Sequence, residues 1–248
     1  ARVSIVNRLA DIYDCLPELI TLYPSGMAAF TTALEALRRF NKSKKPTLQL
    51  GFPYVDVLKL PQTIFEGSEL LLQVDPNKLA AELDKKKPSA LIVELPSNPM
   101  LQCIDLPLIA KIAHARNIPV IADDTIGSAI NIDPLPYADL VFSSLTKSFA
   151  GRGDILAGSL VISPRSKWKE IFKELISLST LAPLSAPDAI ALNEASQNVF
   201  ERVTKLNESC NVLKKHLEKH SAIKKVLHPG NCPNFKSLMR SKAGNGFG

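Results

Sequence analysis

No stretch of the 248 residues approaches the roughly 20 consecutive apolar residues that cross a bilayer. The N-terminus carries no charged-then-apolar run with a cleavage site, so nothing points to secretion. Cysteine is scarce, and Cys15, Cys103, Cys210 and Cys232 have no short paired spacing. That speaks against a zinc ligand set and a disulfide framework, and it fits a reducing, cytoplasmic setting. His114, His216, His220 and His228 stand apart in sequence and read as helix-surface or loop residues, so no metal is expected. Aromatic residues make up only 6% of the chain. They do not interleave with the basic groups at Lys42, Lys44 and Lys45, at residues 85–87, or at Lys214, Lys215 and Lys219. The formal net charge of +6 therefore reads as solvated faces, not as a nucleic-acid surface.

What is present is ordinary for a globular protein: 46% hydrophobic and 22% charged residues, enough for one large domain or two small ones. The chain opens on Ala1 and stops inside a glycine-rich phrase at residues 243–248, which suggests a piece of a longer protein. Short apolar runs at residues 47–50, 70–74, 90–94, 118–122, 139–142 and 157–163 read as strands. Helical periodicity occupies residues 27–40, 76–86, 106–117 and 168–178. Residues 1–22 read as a helix pair broken by Pro17. Residues 187–219 read as one long helix of about 50 Å, followed by a short strand at 223–227. The alternation predicts an α/β fold with a mostly parallel sheet and helices on both faces. In such sheets ligands sit at the carboxyl ends of the strands.

Four chemically able residues fall at those ends: Tyr54, Asn98, Asp123 and Lys147. Lys147 closes Ser144-Leu145-Thr146-Lys147, just beyond one apolar run, and Asp123 ends another. A lysine so placed can carry an aldehyde cofactor, and a carboxylate can keep a pyridine nitrogen protonated; together they suit pyridoxal phosphate. Ser25-Gly26-Met27 marks a helix N-terminus. Its free N–H groups suit a phosphate, although a plain serine cap would look the same. Tyr54, on a loop rim after Gly51-Phe52-Pro53, can stack on a flat ring or pack at the core edge.

Taken together these motifs resemble the pyridoxal-phosphate enzymes of cysteine and methionine metabolism, most closely the fungal type of cystathionine gamma-synthase. The resemblance rests on Ser25-Gly26-Met27-Ala28-Ala29, Phe52-Pro53-Tyr54-Val55-Asp56, Glu94-Leu95-Pro96-Ser97-Asn98-Pro99, Asp123-Asp124-Thr125 and Ser144-Leu145-Thr146-Lys147. It implies an aspartate-aminotransferase-like large domain at residues 1–220, its N-terminal part missing, and the start of a truncated C-terminal domain at 221–248. It implies that Ser25, Gly26, Met27, Ser144 and Thr146 hold the phosphate. Asp123 would hold the pyridine nitrogen, Tyr54 the ring face, and Asn98 would lie near the cofactor hydroxyl and the substrate carboxylate. Lys147 and Tyr54 would be catalytic. Asp124 departs from the family's usual asparagine. The implied reaction is gamma-replacement on an O-acylhomoserine by cysteine, giving cystathionine, in a homodimer or homotetramer. Gamma-lyase and homoserine sulfhydrylase activities share the same motifs, and an inert truncated homologue serving as an assembly partner is the alternative of another class. The resemblance also places a tyrosine and an arginine of the full site before this chain's start, and a substrate-binding arginine after its end.

Overall fold

The computed structural model describes residues 1–42, 44–240 and 246. The terminal glycine-rich phrase lies outside them, Gly246 apart. In chain order the elements are α1 (Arg2–Tyr13), a 3₁₀ turn (Pro17–Leu19), β1 (Ile20–Tyr23), α2 (Gly26–Asn41), β2 (Thr47–Leu50), α3 (Val55–Lys59), α4 (Pro61–Ile64) and β3 (Ser68–Leu71). Then come α5 (Pro76–Lys86), β4 (Leu91–Glu94), α6 (Leu106–His114), β5 (Val120–Asp123), β6 (Leu140–Ser144) and β7 (Gly158–Ile162). The chain continues with α7 (Lys169–Ser177), α8 (Ala186–Ala195), α9 (Val199–Glu218), a second 3₁₀ turn (Pro229–Asn231) and α10 (Pro233–Lys236).

The seven strands form one sheet in the order β1-β7-β6-β5-β4-β2-β3. Every pairing from β6 to β3 is parallel, and β7 runs antiparallel to both its neighbours. Alternation along the strands feeds two cores. Ile92, Ile121, Leu140, Phe142, Leu160 and Ile162 face α2 and α7, where Phe30 stacks on Phe142 at 4.7 Å. Leu91, Val93, Val120, Ala122, Val141 and Val161 face α1, α6 and α8 on the other side. Side chains of the sequence's own choosing start the helices: Ser25 accepts from Ala28 N–H, Asp75 from Asn77 N–H, Asp105 from Leu108 N–H and Ser185 from Asp188 N–H.

Four sequence expectations are corrected. The second half of the 1–22 segment is not an α-helix: beyond a 3₁₀ turn at Pro17–Leu19 the β-favouring Ile20, Thr21 and Tyr23 form β1, paired with β7. The 70–74 strand is shifted to Ser68–Leu71, because β2 ends at Leu50, opposite Leu71, and leaves nothing to pair with further on. The long helix is two. Ser196 lies buried at the break, its hydroxyl donating back to Leu192 O at 2.7 Å and accepting from Arg8 Nη1 at 2.7 Å. Val199 N–H then reaches Ser196 O, a tightened i→i+3 turn. Such back-bonding bends helices, and α9, with 20 residues, is about 30 Å long. Finally, residues 223–227 join no strand among the described residues; Ile223 and Leu227 are exposed.

The joint between β7 and the start of α2 is tight backbone against backbone. Gly158 pairs with Tyr23 on one side and Ser144 on the other. A Cβ on it would lie 2.2 Å from Ser25 O and 2.6 Å from Gly26 N. Both are backbone atoms that cannot swing aside, so Gly158→Ala is expected to destabilise by about 3 kcal/mol. Thermal unfolding checks this, with a fall in Tm of about 2–4 °C per kcal/mol at this size. An unchanged Tm would show that the joint yields.

Candidate functional site

The parallel strands β2, β4, β5 and β6 end along one edge of the sheet, and β1 delivers its C-terminus to the same edge. A cavity of about 300 Å³ opens there. All nine residues singled out from the sequence line it: Ser25, Gly26, Met27, Tyr54, Asn98, Asp123, Ser144, Thr146 and Lys147. Gly26 and Met27 open α2, whose first N–H groups have no partner inside the helix. Ala28 N–H is taken by Ser25 Oγ and Ala29 N–H by Ser25 O, which leaves the Gly26 and Met27 N–H groups without a partner among the described residues. A Cβ on Gly26 would sit 3.0 Å from Ser144 Cα and Cβ, so a side chain there would push the start of α2 and the end of β6 apart by a few tenths of an ångström.

Asp123 is the buried end of β5, 5% exposed. Thr125 N–H donates to its Oδ1 at 3.0 Å. Ser144 N–H in turn donates to Thr125 Oγ1 at 2.9 Å, so one threonine ties the ends of β5 and β6 together. Burial pushes the Asp123 carboxyl up to about 6, against the pull of the Thr125 hydroxyl and N–H. Among the described residues it has no cationic partner. Lys147 lies three residues beyond the end of β6, exposed. Its ammonium makes no hydrogen bond or ion pair among the described residues, so it is free to reach a ligand. The Thr146 hydroxyl is otherwise engaged: it accepts from Ala157 N–H at 3.1 Å and sits 3.3 Å from Ala157 O. Tyr54 stands at the rim, 48% exposed. Its phenol is pushed up by a hydrogen bond to Asp56 and that residue's charge.

Several lining residues had not been chosen from the sequence: Val57, Glu94, Thr125, Ile126, Phe142 and Leu156. Glu94 is the most telling. It pairs in register with Asp123 and accepts Tyr54 N–H on Oε2 at 2.7 Å. Burial, then the Asp123 charge, pushes its carboxyl up to about 8, opposed by the Tyr54 and Asn98 N–H groups. Its signal was a carboxylate closing an apolar strand. Behind Asp123 lies Asp124, fully buried, accepting the Tyr13 hydroxyl on Oδ2 at 2.8 Å. Its Oδ1 has no hydrogen-bond partner among the described residues. Burial raises it to about 7, with the Tyr13 hydroxyl opposing and the Asp123 charge adding.

The profile of the Cys/Met metabolism PLP-dependent enzymes matches residues 4–247. The chain belongs to that family. It is 31% identical to the cystathionine gamma-synthase of Saccharomyces cerevisiae over 98% of its own length and 42% of that protein's. The Neurospora crassa cystathionine gamma-synthase is 28% identical, over 92% of this chain and 39% of the relative. The chain thus spans about two fifths of these relatives. The cystathionine gamma synthase structure from Xanthomonas oryzae pv. oryzae, in complex with aminoacrylate and cysteine, superposes with a TM-score of 0.80 at 21% identity, over 100% of this chain and 63% of that one. A cystathionine gamma-lyase from Lactobacillus plantarum gives 0.77 at 23%, over 100% and 64%. At such identities the structures establish the fold.

Family members use pyridoxal phosphate, and the cavity fits that group on three observations. Gly26 leaves a cradle of open backbone N–H groups, where a Cβ would crowd Ser144. Asp123 is a buried carboxylate without a cation among the described residues, and a protonated ring nitrogen would satisfy it. Lys147 offers an unpartnered amine at the same cavity.

Proposed function

We propose that the protein is a gamma-replacement enzyme of the cystathionine gamma-synthase type, joining an O-acylhomoserine to cysteine. In this reading residues 1–220 form the cofactor-binding large domain, and 221–248 begin a C-terminal one. One observation carries it: a single cavity gathers Lys147, the buried Asp123 and the start of α2. The names of the yeast and Neurospora relatives support the choice of reaction within the family. The intact lysine and carboxylate speak against an inert assembly partner.

Bound pyridoxal phosphate would supply an electron sink next to the substrate's Cα. The Gly26 and Met27 N–H groups with the Ser25 and Ser144 hydroxyls would hold its phosphate at the positive end of α2. Thr146 would add a hydroxyl while keeping its anchor on Ala157. Asp123, held ionised by an adjacent ring cation, would keep that nitrogen protonated. Lys147 Nζ would bind the aldehyde carbon and, once released, carry protons between substrate carbons, which its exposed and unpaired position permits. Tyr54 would cover the ring. Its raised phenol keeps the proton at neutral pH, so it acts as a hydrogen-bond donor. Asn98 would face the substrate carboxylate. The same reading gives a cytoplasmic homodimer or homotetramer.

Assays of the full-length protein with an acylated homoserine test the reaction. Cystathionine formed only when cysteine is present is the expected result. Release of a 2-oxo acid from cystathionine would assign a gamma-lyase instead, and homocysteine from sulfide a sulfhydrylase. Absence of all three would overturn the reading.

A further inference from the structure

The turn that carries Lys147 is short and held by few bonds of its own. Lys147 N–H reaches Ser144 O at 3.2 Å, Ala150 N–H reaches Leu145 O at 2.9 Å, and Gly151 N–H reaches Lys147 O at 2.8 Å. Gly151 closes it at φ 69°, in the left-handed region, as a helix end does. The carbonyls of Ser148 and Phe149 are left pointing out of this turn, and neither is taken by a backbone N–H among the described residues. Both are taken by one side chain from a distant element. Arg202, in the first turn of α9, donates from Nη2 to Phe149 O at 2.7 Å and to Ser148 O at 3.1 Å. Its Nη1 donates to Ala195 O at 3.1 Å, at the end of α8, and to Asn198 Oδ1. One guanidinium therefore joins three segments: the end of α8, the start of α9 and the lysine turn.

The fit is close. A Cβ on Gly151 would lie 2.3 Å from Arg202 Nε. That Nε is buried and has no hydrogen-bond partner among the described residues, and burial lowers the guanidinium's pKa. A half-buried guanidinium with its Nε–H buried and orphaned is an unfavourable arrangement unless its other contacts hold it in place. A salt bridge does not do so, because no carboxylate pairs with Arg202 among the described residues; its donors go to three main-chain carbonyls and the Asn198 amide oxygen.

We propose that Arg202 is a positioning residue for Lys147, clamping residues 147–151 so that the amine is presented to the cavity at a fixed place. The clamp rests on the reading of Lys147 given above. It makes the α8–α9 bend, rather than the sheet alone, the support of the reactive lysine. Lysine cannot replace the arginine, because one ammonium on a flexible stem does not reproduce a planar fork spanning Ala195, Ser148 and Phe149.

The test compares wild type, Arg202→Gln, Arg202→Lys and Val203→Ala in the full-length protein. Val203 is a buried core residue on the same helix turn and controls for simple loss of stability. Each protein is mixed with sub-saturating pyridoxal phosphate below its unfolding temperature and treated with borohydride. The fraction of Lys147-containing peptide carrying the reduced cofactor is then measured by mass, and the pH midpoint of the visible band of the bound cofactor is recorded. R202Q is expected to cut trapping at Lys147 about tenfold, on the scale of one lost charge-assisted hydrogen bond, and to shift the pH midpoint. R202K should recover only part of both, and V203A should move neither. If wild type traps at Lys147 and R202Q matches V203A in both readouts, the clamp is overturned while the lysine assignment stands. If R202Q does not fold, R202K decides by the same criterion. If wild type itself is not trapped at Lys147, the reading of the site falls and the clamp with it.

Discussion

Replacing Lys147 by alanine is expected to abolish covalent capture of pyridoxal phosphate and leave the fold intact. The lysine is exposed and makes no bond that the structure depends on, so its truncation should change stability by no more than about 0.5 kcal/mol. Asp123, the start of α2 and Tyr54 remain, so the cofactor should still bind, but reversibly, and be lost on gel filtration. Turnover should fall by at least about 10²–10⁴, the scale of a positioned proton carrier, because capture and proton transfer are lost together. Absorbance of the bound cofactor, turnover and Tm, measured on the same preparations, check all parts. A Lys147→Ala protein that keeps the visible band through gel filtration would show that another amine holds the cofactor. A large drop in Tm would show that the turn around Lys147 needs its side chain.

The second large effect concerns pH. Asp123, Asp124 and Glu94 have folded values raised by burial to about 6, 7 and 8, above their ordinary 3.8, 3.8 and 4.5. The folded chain therefore holds protons that the unfolded chain releases. The stabilisation is complete below about pH 4 and is lost as pH rises through the folded values, between about pH 4 and pH 8. Asp124 has no open route to a cofactor that would reverse this. Its carboxylate sits against Tyr13, and its second oxygen has no hydrogen-bond partner among the described residues. A shift of about three units corresponds to about 4 kcal/mol if it acts alone. The Asp124→Asn variant, which restores the residue usual in the resembled motif, should therefore be more stable than wild type by a few kcal/mol at pH 8. At pH 4 the advantage should vanish. Urea unfolding at both pH values checks this, and an advantage equal at the two would show that Asp124 does not titrate in this range. Pyridoxal phosphate should stabilise more at pH 8 than at pH 5, because a ring cation would favour ionised Asp123.

Much of this was legible in the sequence, for identifiable reasons. The buried parallel strands are continuous apolar runs, so 47–50 was found at its true bounds and 90–94 and 118–122 within a residue or two. The residues that line the cavity stand out because they close or follow such runs or open a capped helix. What failed was of two kinds. Leu19 and Leu22 have helical spacing by coincidence, and only the pairing of β1 with β7 decides against it. The break in the long helix depends on a buried serine and on Arg8, 188 residues away from it; no local pattern announces such a contact. Arg202 carries no local signal for the same reason: most of its partners are backbone groups of other segments.

The Gly158 joint has a consequence for the order in which the molecule can be assembled during synthesis. Residues 25–27 are made before residue 158, yet the surface against which they settle is not finished until β7 has slotted between β1 and β6. Until then β1 has no neighbour in the sheet among the described residues, and the start of α2 has no back wall. A nascent chain halted short of residue 158 would carry the lysine and the carboxylate but could not close the pocket around them. Loading of a cofactor at this cavity would thereby wait on completion of the sheet.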